Sequence, residues 1–360
     1  MTMIGRQGRG SGAKAGTLTS RKEQHLDAVL AGKASAVTTT GLEAVRFEHV
    51  ALPEVSWEAI NLSMRFLGRP IGGPLLIGSM TGGPSRAAQI NRTLAGVCQA
   101  LRIPLAVGSQ RVMIEGDRDG GLDRGLRRIA PDIPILANLG AAQLNRGYGR
   151  DQALRAIEAI DAQALILHLN PLQEAVQPEG DRDWRGLTDK IGELARALPV
   201  PVIVKEVGAG LSAAVVARLA EAGIGIFDVA GAGGTDWARV EAARAGSQAQ
   251  AQVAACFAGW GIPTATAIRM ARAAAPKATV IGSGGIVTGL DAARAVRLGA
   301  DLVSMAGAVL PAALEGPDAL EQHLGIVLAQ LRTACFCTGS ADLAQLRQAR
   351  LLPAGTEPYS

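Results

Sequence analysis

Four polar side chains close one of the most apolar runs in the chain. The stretch ALILHLNPLQEAVQPEGDRDW, Ala164 to Trp184, begins as an interior strand and finishes in His168, Asn170, Gln173 and Glu174, groups that cost free energy to bury unless a polar partner meets them. On a strand of period two, His168 and Asn170 share one face while Leu167 and Leu169 take the other, and Pro171 then ends the strand. A lone histidine there would read as a core residue bonded to a carbonyl. Three polar neighbours shift the reading to a site. Glu174, beside Gln173 and an acidic loop, could hold Mg2+ through oxygen while the metal keeps most of its waters for a phosphate; alone it would be an exposed helix-start carboxylate.

Other short apolar runs end the same way. Ser79, Met80 and Thr81 follow PLLIG, Ser109 and Arg111 follow IPLAVG, Asn138 lies in PILANLG, and Lys205 closes PVIV. A lysine at that place either snorkels to the rim or faces an anion, such as the charge on a cofactor ring. The loops GAGGT, with Thr235, and GSGGIVTGLDAARAV, with Gly284, Gly285 and Ile286, are rich in glycine, as is the Ala306-Gly307 pair. Free backbone amides at a helix start favour a phosphate; a tight turn capping a helix is the plainer account.

These ends need a common scaffold. The runs PLLIGSM, IPLAVGSQR, PILANLGAA, ALILHLN, PVIVKEVG, IFDVAGAGG, TVIGSGG and LVSMAG are apolar on both faces, and most precede a helix-like segment such as SAAVVARLAEAG. Eight β-then-α units with buried parallel strands specify a (β/α)8 TIM barrel, whose site lies at the C-terminal strand ends. SQAQAQVAACFAGWGIPTATAI, between the sixth and seventh runs, implies an added loop or helix. Gly208-x-Gly210-x-x-Ala213 with Asp228 downstream imitates a dinucleotide fingerprint, yet Lys205 and Glu206 stand where that motif wants an apolar strand end. The expected division is a flexible basic tail over 1–18, a barrel with an N-terminal segment over 19–345, and a C-terminal tail over 346–360. Thr19 or Ser20 would cap a short helix ending at Gly32.

The formal charge of +4 lies entirely within residues 1–33, where six basic residues face two acidic ones, and aromatics are only 3% of the chain. Neither fact favours nucleic acid. Cys98, Cys256, Cys335 and Cys337 form no zinc spacing, and no export signal or membrane span is evident, which points to a cytoplasmic protein with free thiols. No GxSxG, P-loop or HExxH motif occurs.

Taken in order, RKEQHL, GSMTGG, GSQR, ANLGA, HLNPLQE, KEVGAGLS, AGAGGT and GSGG resemble type 2 isopentenyl-diphosphate isomerase, the flavin-dependent family, over nearly the whole chain. The resemblance implies FMN in the barrel mouth against Ser79, Met80, Thr81, Ser109, Asn138, Lys205 and Thr235, with its phosphate at Gly284, Gly285, Ile286, Ala306 and Gly307. It places the diphosphate on Arg21 and Lys22, with His25 and Arg111 in the same pocket, and makes Gln173, His168, Asn170 and Lys205 the catalytic set and Glu174 the Mg2+ ligand. Reduced FMN, prepared by NADPH, would act as acid–base catalyst in a homo-oligomer, a tetramer or octamer, converting isopentenyl to dimethylallyl diphosphate. Gln24 and Val287 depart from the family pattern. The competing readings are a net FMN oxidoreductase of the 2-hydroxy-acid oxidase or nucleotide dehydrogenase type, in which Cys256 could take part, and a binding protein using its basic tail.

Overall fold

The computed structural model describes residues 25, 27, 28, 30–32, 34–80, 85–116 and 121–353. The tail 1–18, the cap positions Thr19 and Ser20, Arg21, Lys22, Gln24 and Thr81 lie outside the described residues.

A hairpin, β1 (Met64–Phe66) and β2 (Arg69–Ile71), precedes eight strands: β3 (Leu75–Ile77), β4 (Leu105–Ala106), β5 (Ile135–Gly140), β6 (Ala164–Leu169), β7 (Val202–Glu206), β8 (Ile226–Asp228), β9 (Thr279–Ser283) and β10 (Leu302–Met305). These eight close a barrel in the order β10-β3-β4-β5-β6-β7-β8-β9, every neighbour parallel. Each expected run supplies one strand.

The reason is visible in the alternation of side chains. Ala164 and Ile166 of β6 join Leu136, Ile203, Ile281 and Leu302 inside the barrel, while Leu165 and Leu167 join the outer core beneath the helices. Both faces are buried, so β-branched and leucine side chains gain on either side. The same alternation carried two residues further turns polar: Asn138, His168, Lys205, Asp228, Ser283 and Ser304 are the next inward positions. One end of the barrel is hydrocarbon and the other is hydrogen-bonding.

The antiparallel hairpin closes the hydrocarbon end. Leu67 (φ 49°) and Gly68 (φ 77°) form its turn with both residues in the left-handed region, the geometry that matches strand twist in a two-residue loop. Phe66 and Ile71 are 5% and 1% exposed and pack into the inner cluster with Leu76, Ala106 and Ala164.

Between β8 and β9 run three helices, Trp237–Arg244, Gln248–Ala255 and Thr264–Ala274, where the other connections between barrel strands have one or two. The inserted segment is helical, as expected. Of the N-terminal helix, residues 25, 27, 28 and 30 are helical and Gly32 follows at φ 70°. At the other end, Leu346 and Ala349 are buried and Leu351 bridges to Phe47. Among the described residues no helix is long and apolar enough to cross a membrane.

Candidate functional site

The polar end of the barrel opens into a cavity of about 650 Å3. Every described residue expected to act lines it: Ser79 and Met80 after β3, Ser109 and Arg111 after β4, Asn138 on β5, His168 and Lys205 on β6 and β7, Asn170, Gln173 and Glu174 after β6, Thr235 after β8, then Gly284, Gly285, Ile286, Ala306 and Gly307, with His25 from the N-terminal segment. The free thiol of Cys256 is exposed and does not line it.

His168 and Asn138 are joined on adjacent strands, Nδ1 to Oδ1 at 2.8 Å. Because Asn138 Nδ2 donates to Val107 O at 3.2 Å, its Oδ1 must accept, so His168 carries its proton on Nδ1 and turns Nε2 the other way. The approach depends on Gly140, where a Cβ would lie 2.0 Å from Gln143 Oε1 and 3.1 Å from His168 Nε2. Gln110 is scaffold: fully buried, it donates to Ala156 O and accepts from Asn138 N.

The strand-to-helix turn after β6 locks three side chains together. Asn170 precedes the helix Pro171–Val176, whose first-turn proline removes an amide that would have no partner. Its Nδ2 donates to Gln173 Oε1 at 3.1 Å and to Glu174 Oε1 at 2.9 Å. Glu174 is only 7% exposed, and its Oε2 accepts from Gln177 Nε2 at 2.7 Å and Asp181 N at 2.6 Å. The plain reading of an exposed helix-start carboxylate is therefore wrong. Among the described residues no group of three or more His, Cys, Asp or Glu side chains gathers around it, so a cation there would rest on one carboxylate and on waters or ligand oxygens, as Mg2+ on a phosphate does.

Gln173 is held from its other end by Glu241, on the helix Trp237–Arg244, at 3.1 Å. The same oxygen meets His25 Nε2 at 3.0 Å, and Arg244 reaches the second oxygen. Burial works against ionisation of Glu241, but His25, Gln173 and Arg244 outweigh it and hold its pKa below the ordinary carboxylate value. The N-terminal segment is fastened to this side of the mouth. Ser35 bridges to Thr235, Ala36 N donates to Gly234 O at 3.0 Å, and Asp236 N donates to Ala34 O at 2.8 Å.

Lys205 lies at the cavity floor, with Nζ on Glu206 O at 2.6 Å and Asp228 as its register partner on β8. Asp228 is 1% exposed and accepts from the Ser283 hydroxyl. Burial pushes its carboxyl pKa up, with Lys205 pulling the other way. It therefore serves the barrel interior rather than a ribose. The fingerprint reading fails at Gly208 and Gly210 too, because Glu206 Oε2 accepts the amides of Val207, Gly208, Ala209 and Gly210. Those amides have no capacity left for a pyrophosphate.

Unspent backbone donors lie instead in the loop after β9. A Cβ on Gly284 (φ 98°) would meet Gly231 O at 2.0 Å, so two loop backbones touch where only glycine fits. The amides of Gly285 and Ile286 make no hydrogen bond to another described residue and line the cavity. Ser79 Oγ is likewise buried there without a hydrogen-bond partner among the described residues. Unspent donors, a lysine and a polar ring of this size fit a flavin phosphate and isoalloxazine. Glu241, Asp181, Asp228 and Gln143 were not legible as site residues. Asp181 carried a hint in the acidic loop after Glu174, and Asp228 only as the acid of the dinucleotide-like fingerprint.

The family model described as FMN-dependent dehydrogenase matches residues 155–353. An isopentenyl-diphosphate delta-isomerase of Stutzerimonas stutzeri (strain A1501) is 58% identical over 93% of this chain and 97% of its own. One from Xanthobacter autotrophicus (strain ATCC BAA-1158 / Py2) is 55% identical over 92% and 96%. Among solved structures, a mutant flavocytochrome b2 with pyruvate bound superposes with TM-score 0.66 at 16% identity, covering 97% of this chain and 88% of that one. At that identity the likeness is one of fold.

Proposed function

The chain belongs to the type 2, FMN-dependent isopentenyl-diphosphate delta-isomerase family, and on that premise we propose that it interconverts isopentenyl and dimethylallyl diphosphate by proton transfer, with Mg2+ on the diphosphate. When bound, reduced FMN supplies an acid–base group at a ring nitrogen without net electron transfer. The observation that carries this reading is the convergence of residues from all eight strand ends on one cavity of about 650 Å3, in which the Ser79 hydroxyl has no partner among the described residues.

Ser79, Met80, Ser109, Asn138 and Thr235 would hold the ring, together with Thr81, and Gly284, Gly285, Ile286, Ala306 and Gly307 the phosphate. The Lys205 ammonium would favour the electron-rich reduced ring. Gln173, fixed between Asn170 and Glu241, orients the carbon skeleton or relays a proton, and His168 and Asn170 complete that wall. Arg111 and His25, with Arg21 and Lys22, would take the diphosphate, and Glu174 its Mg2+. The His25–Glu241 contact supports an N-terminal segment that closes the mouth and excludes water. Reduction by NADPH, a cytoplasmic location and assembly as a tetramer or octamer belong to the same reading.

The test is anaerobic incubation of photoreduced, FMN-loaded protein with isopentenyl diphosphate and Mg2+, with the products read by proton NMR. Allylic product with the flavin still reduced and no reductant consumed is expected. Product formed only with stoichiometric flavin turnover would establish the oxidoreductase reading instead.

A further inference from the structure

We infer that Asp181 is a positioning residue for the anion subsite, holding the Arg111 guanidinium against the cavity wall and, through its own backbone, the Glu174 carboxylate. The inference rests on the reading of Arg111 as a diphosphate contact.

Asp181 lies in the loop between the helices Pro171–Val176 and Leu187–Ala197 and is 4% exposed. A carboxylate so buried needs donors, and it has them on every side. Oδ1 meets Arg146 Nε; Oδ2 accepts from Gln143 Nε2 at 3.0 Å and lies 3.4 Å from Arg111 Nη1. Its amide donates to Glu174 Oε2 at 2.6 Å, and its carbonyl accepts from Trp184 Nε1 at 2.7 Å. One residue thus touches both the cation and the carboxylate assigned to the diphosphate and its metal.

Arg111 has a long side chain with much rotamer freedom to lose. Two anchors remove that freedom before any ligand arrives: Nε on Glu115 Oε1 at 2.9 Å and Nη1 on Asp181. Glu115 is itself fixed by the Tyr148 hydroxyl at 3.0 Å. Pinning Nε and Nη1 fixes the plane of the guanidinium, which is what bidentate recognition of an anion requires. Burial works against the charge on Arg111, and Glu115 and Asp181 overcome it.

Two roles for Asp181 predict opposite signs. If it were only an opposing charge, removing it would make the subsite more positive and anions would bind more tightly. If it positions Arg111, removing it releases the guanidinium and binding weakens.

The experiment titrates inorganic pyrophosphate into FMN-loaded protein with Mg2+, read by calorimetry. Asp181→Asn is expected to raise the dissociation constant about tenfold or more with FMN affinity and melting transition retained. Arg111→Ala is expected to weaken binding likewise, and Asp181→Asn on top of it to add nothing, since the two act as one unit. Arg111→Lys keeps the charge but cannot span both carboxylates, and is expected to bind as poorly as Arg111→Ala. Unchanged or tighter binding in Asp181→Asn, additive losses in the double variant, or full binding in Arg111→Lys would each overturn the assignment. Should Asp181→Asn fail to retain FMN, the lysine variant decides by itself. Isomerisation by the unsubstituted protein is measured separately, so loss of that activity reading leaves the pyrophosphate comparison intact.

Discussion

Gln173 and Glu241, 68 positions apart, share a hydrogen bond of 3.1 Å, and the same Glu241 oxygen receives His25 at 3.0 Å. A single buried carboxylate therefore orients an amide on the cavity wall and tethers the segment that leads to Arg21 and Lys22. Glu241→Gln keeps one acceptor oxygen for Gln173 and His25, but it turns the other into a donor against Arg244 and removes the charge that binds His25 and Arg244. Turnover should fall about tenfold or more, near 1.4 kcal/mol of barrier, while FMN affinity, for which most proposed contacts come from strand ends that Glu241 does not touch, stays within error. The pH dependence of the tether has a definite sign. The pKa of Glu241 is lowered in the folded protein from the ordinary 4.5, so the stabilisation from its charged form is present above that value and is lost only as pH falls through the lower folded pKa. Activity near neutrality should be insensitive to this group. A drop below pH 4.5 that Glu241→Gln abolishes is the expected profile, measured as initial turnover rates at each acid pH.

The backbone of the loop after β7 depends on one carboxylate. Glu206 Oε2 accepts four successive amides, from Val207 to Gly210. Glu206→Leu should cost on the order of 3 kcal/mol or more, because buried amides lose their acceptor, whereas Glu206→Gln keeps an acceptor and should cost less. Burial raises the pKa of Glu206, so its ionisation draws stability away as pH rises from the unfolded value through the folded one, and the glutamine variant should show a flatter pH-stability profile. Urea unfolding at several pH values separates these outcomes.

Lys205 has its ammonium 2.6 Å from Glu206 O, beside buried Asp228. Lys205→Met should leave the barrel folded and still able to take FMN, but lower the flavin midpoint potential by roughly 30 mV or more, about 1.4 kcal/mol for a two-electron couple. Dye equilibration under reducing conditions reads this directly. An unchanged potential would remove the lysine from the flavin's surroundings.

Periodicity was the legible part of this chain. Eight apolar runs became eight strands, and alternation alone turned His168 and Lys205 inward. Glu241 escaped notice because it sits in the middle of a charged helix, WARVEAAR, where a carboxylate resembles a solvated face until the fold brings the helix Pro171–Val176 beside it. Asp181 looked like one more charge in an acidic loop; its three side-chain partners come from residues 35 to 70 positions earlier. Gly208-x-Gly210 misled in the opposite direction, since only coordinates reveal that Glu206 already occupies its amides. The hairpin went unread because its turn uses Leu67, at φ 49°, where the usual signal is glycine or asparagine.

The cradle proposed for the phosphate gives a steric prediction. Gly284 at φ 98° has no room for a Cβ, which would stand 2.0 Å from Gly231 O. Gly284→Ala must push the loop after β9 away from the one after β8 and misdirect the amides of Gly285 and Ile286. FMN affinity should drop far more than stability, so the purified protein should be folded and pale. A yellow Gly284→Ala protein with undiminished affinity would place the phosphate elsewhere.

At the opposite end, the hairpin offers a control in which stability changes and chemistry does not. Phe66 is 5% exposed and shares the inner cluster with Leu76, Leu136 and Ala164, so it closes the barrel where no polar ligand enters. Phe66→Ala removes that apolar surface and leaves a void, costing about 3–5 kcal/mol. The polar ring at the strand ends is supported by β6, β7 and their register, none of which the hairpin supplies. Below its lowered melting transition the variant should therefore bind FMN with unchanged affinity and turn over at the unsubstituted rate, because in this barrel the N-terminal end carries stability and the C-terminal end the site. A loss of FMN affinity at temperatures where the protein is still folded would mean that the inner apolar cluster transmits packing to the cavity floor, and that the two ends are mechanically coupled.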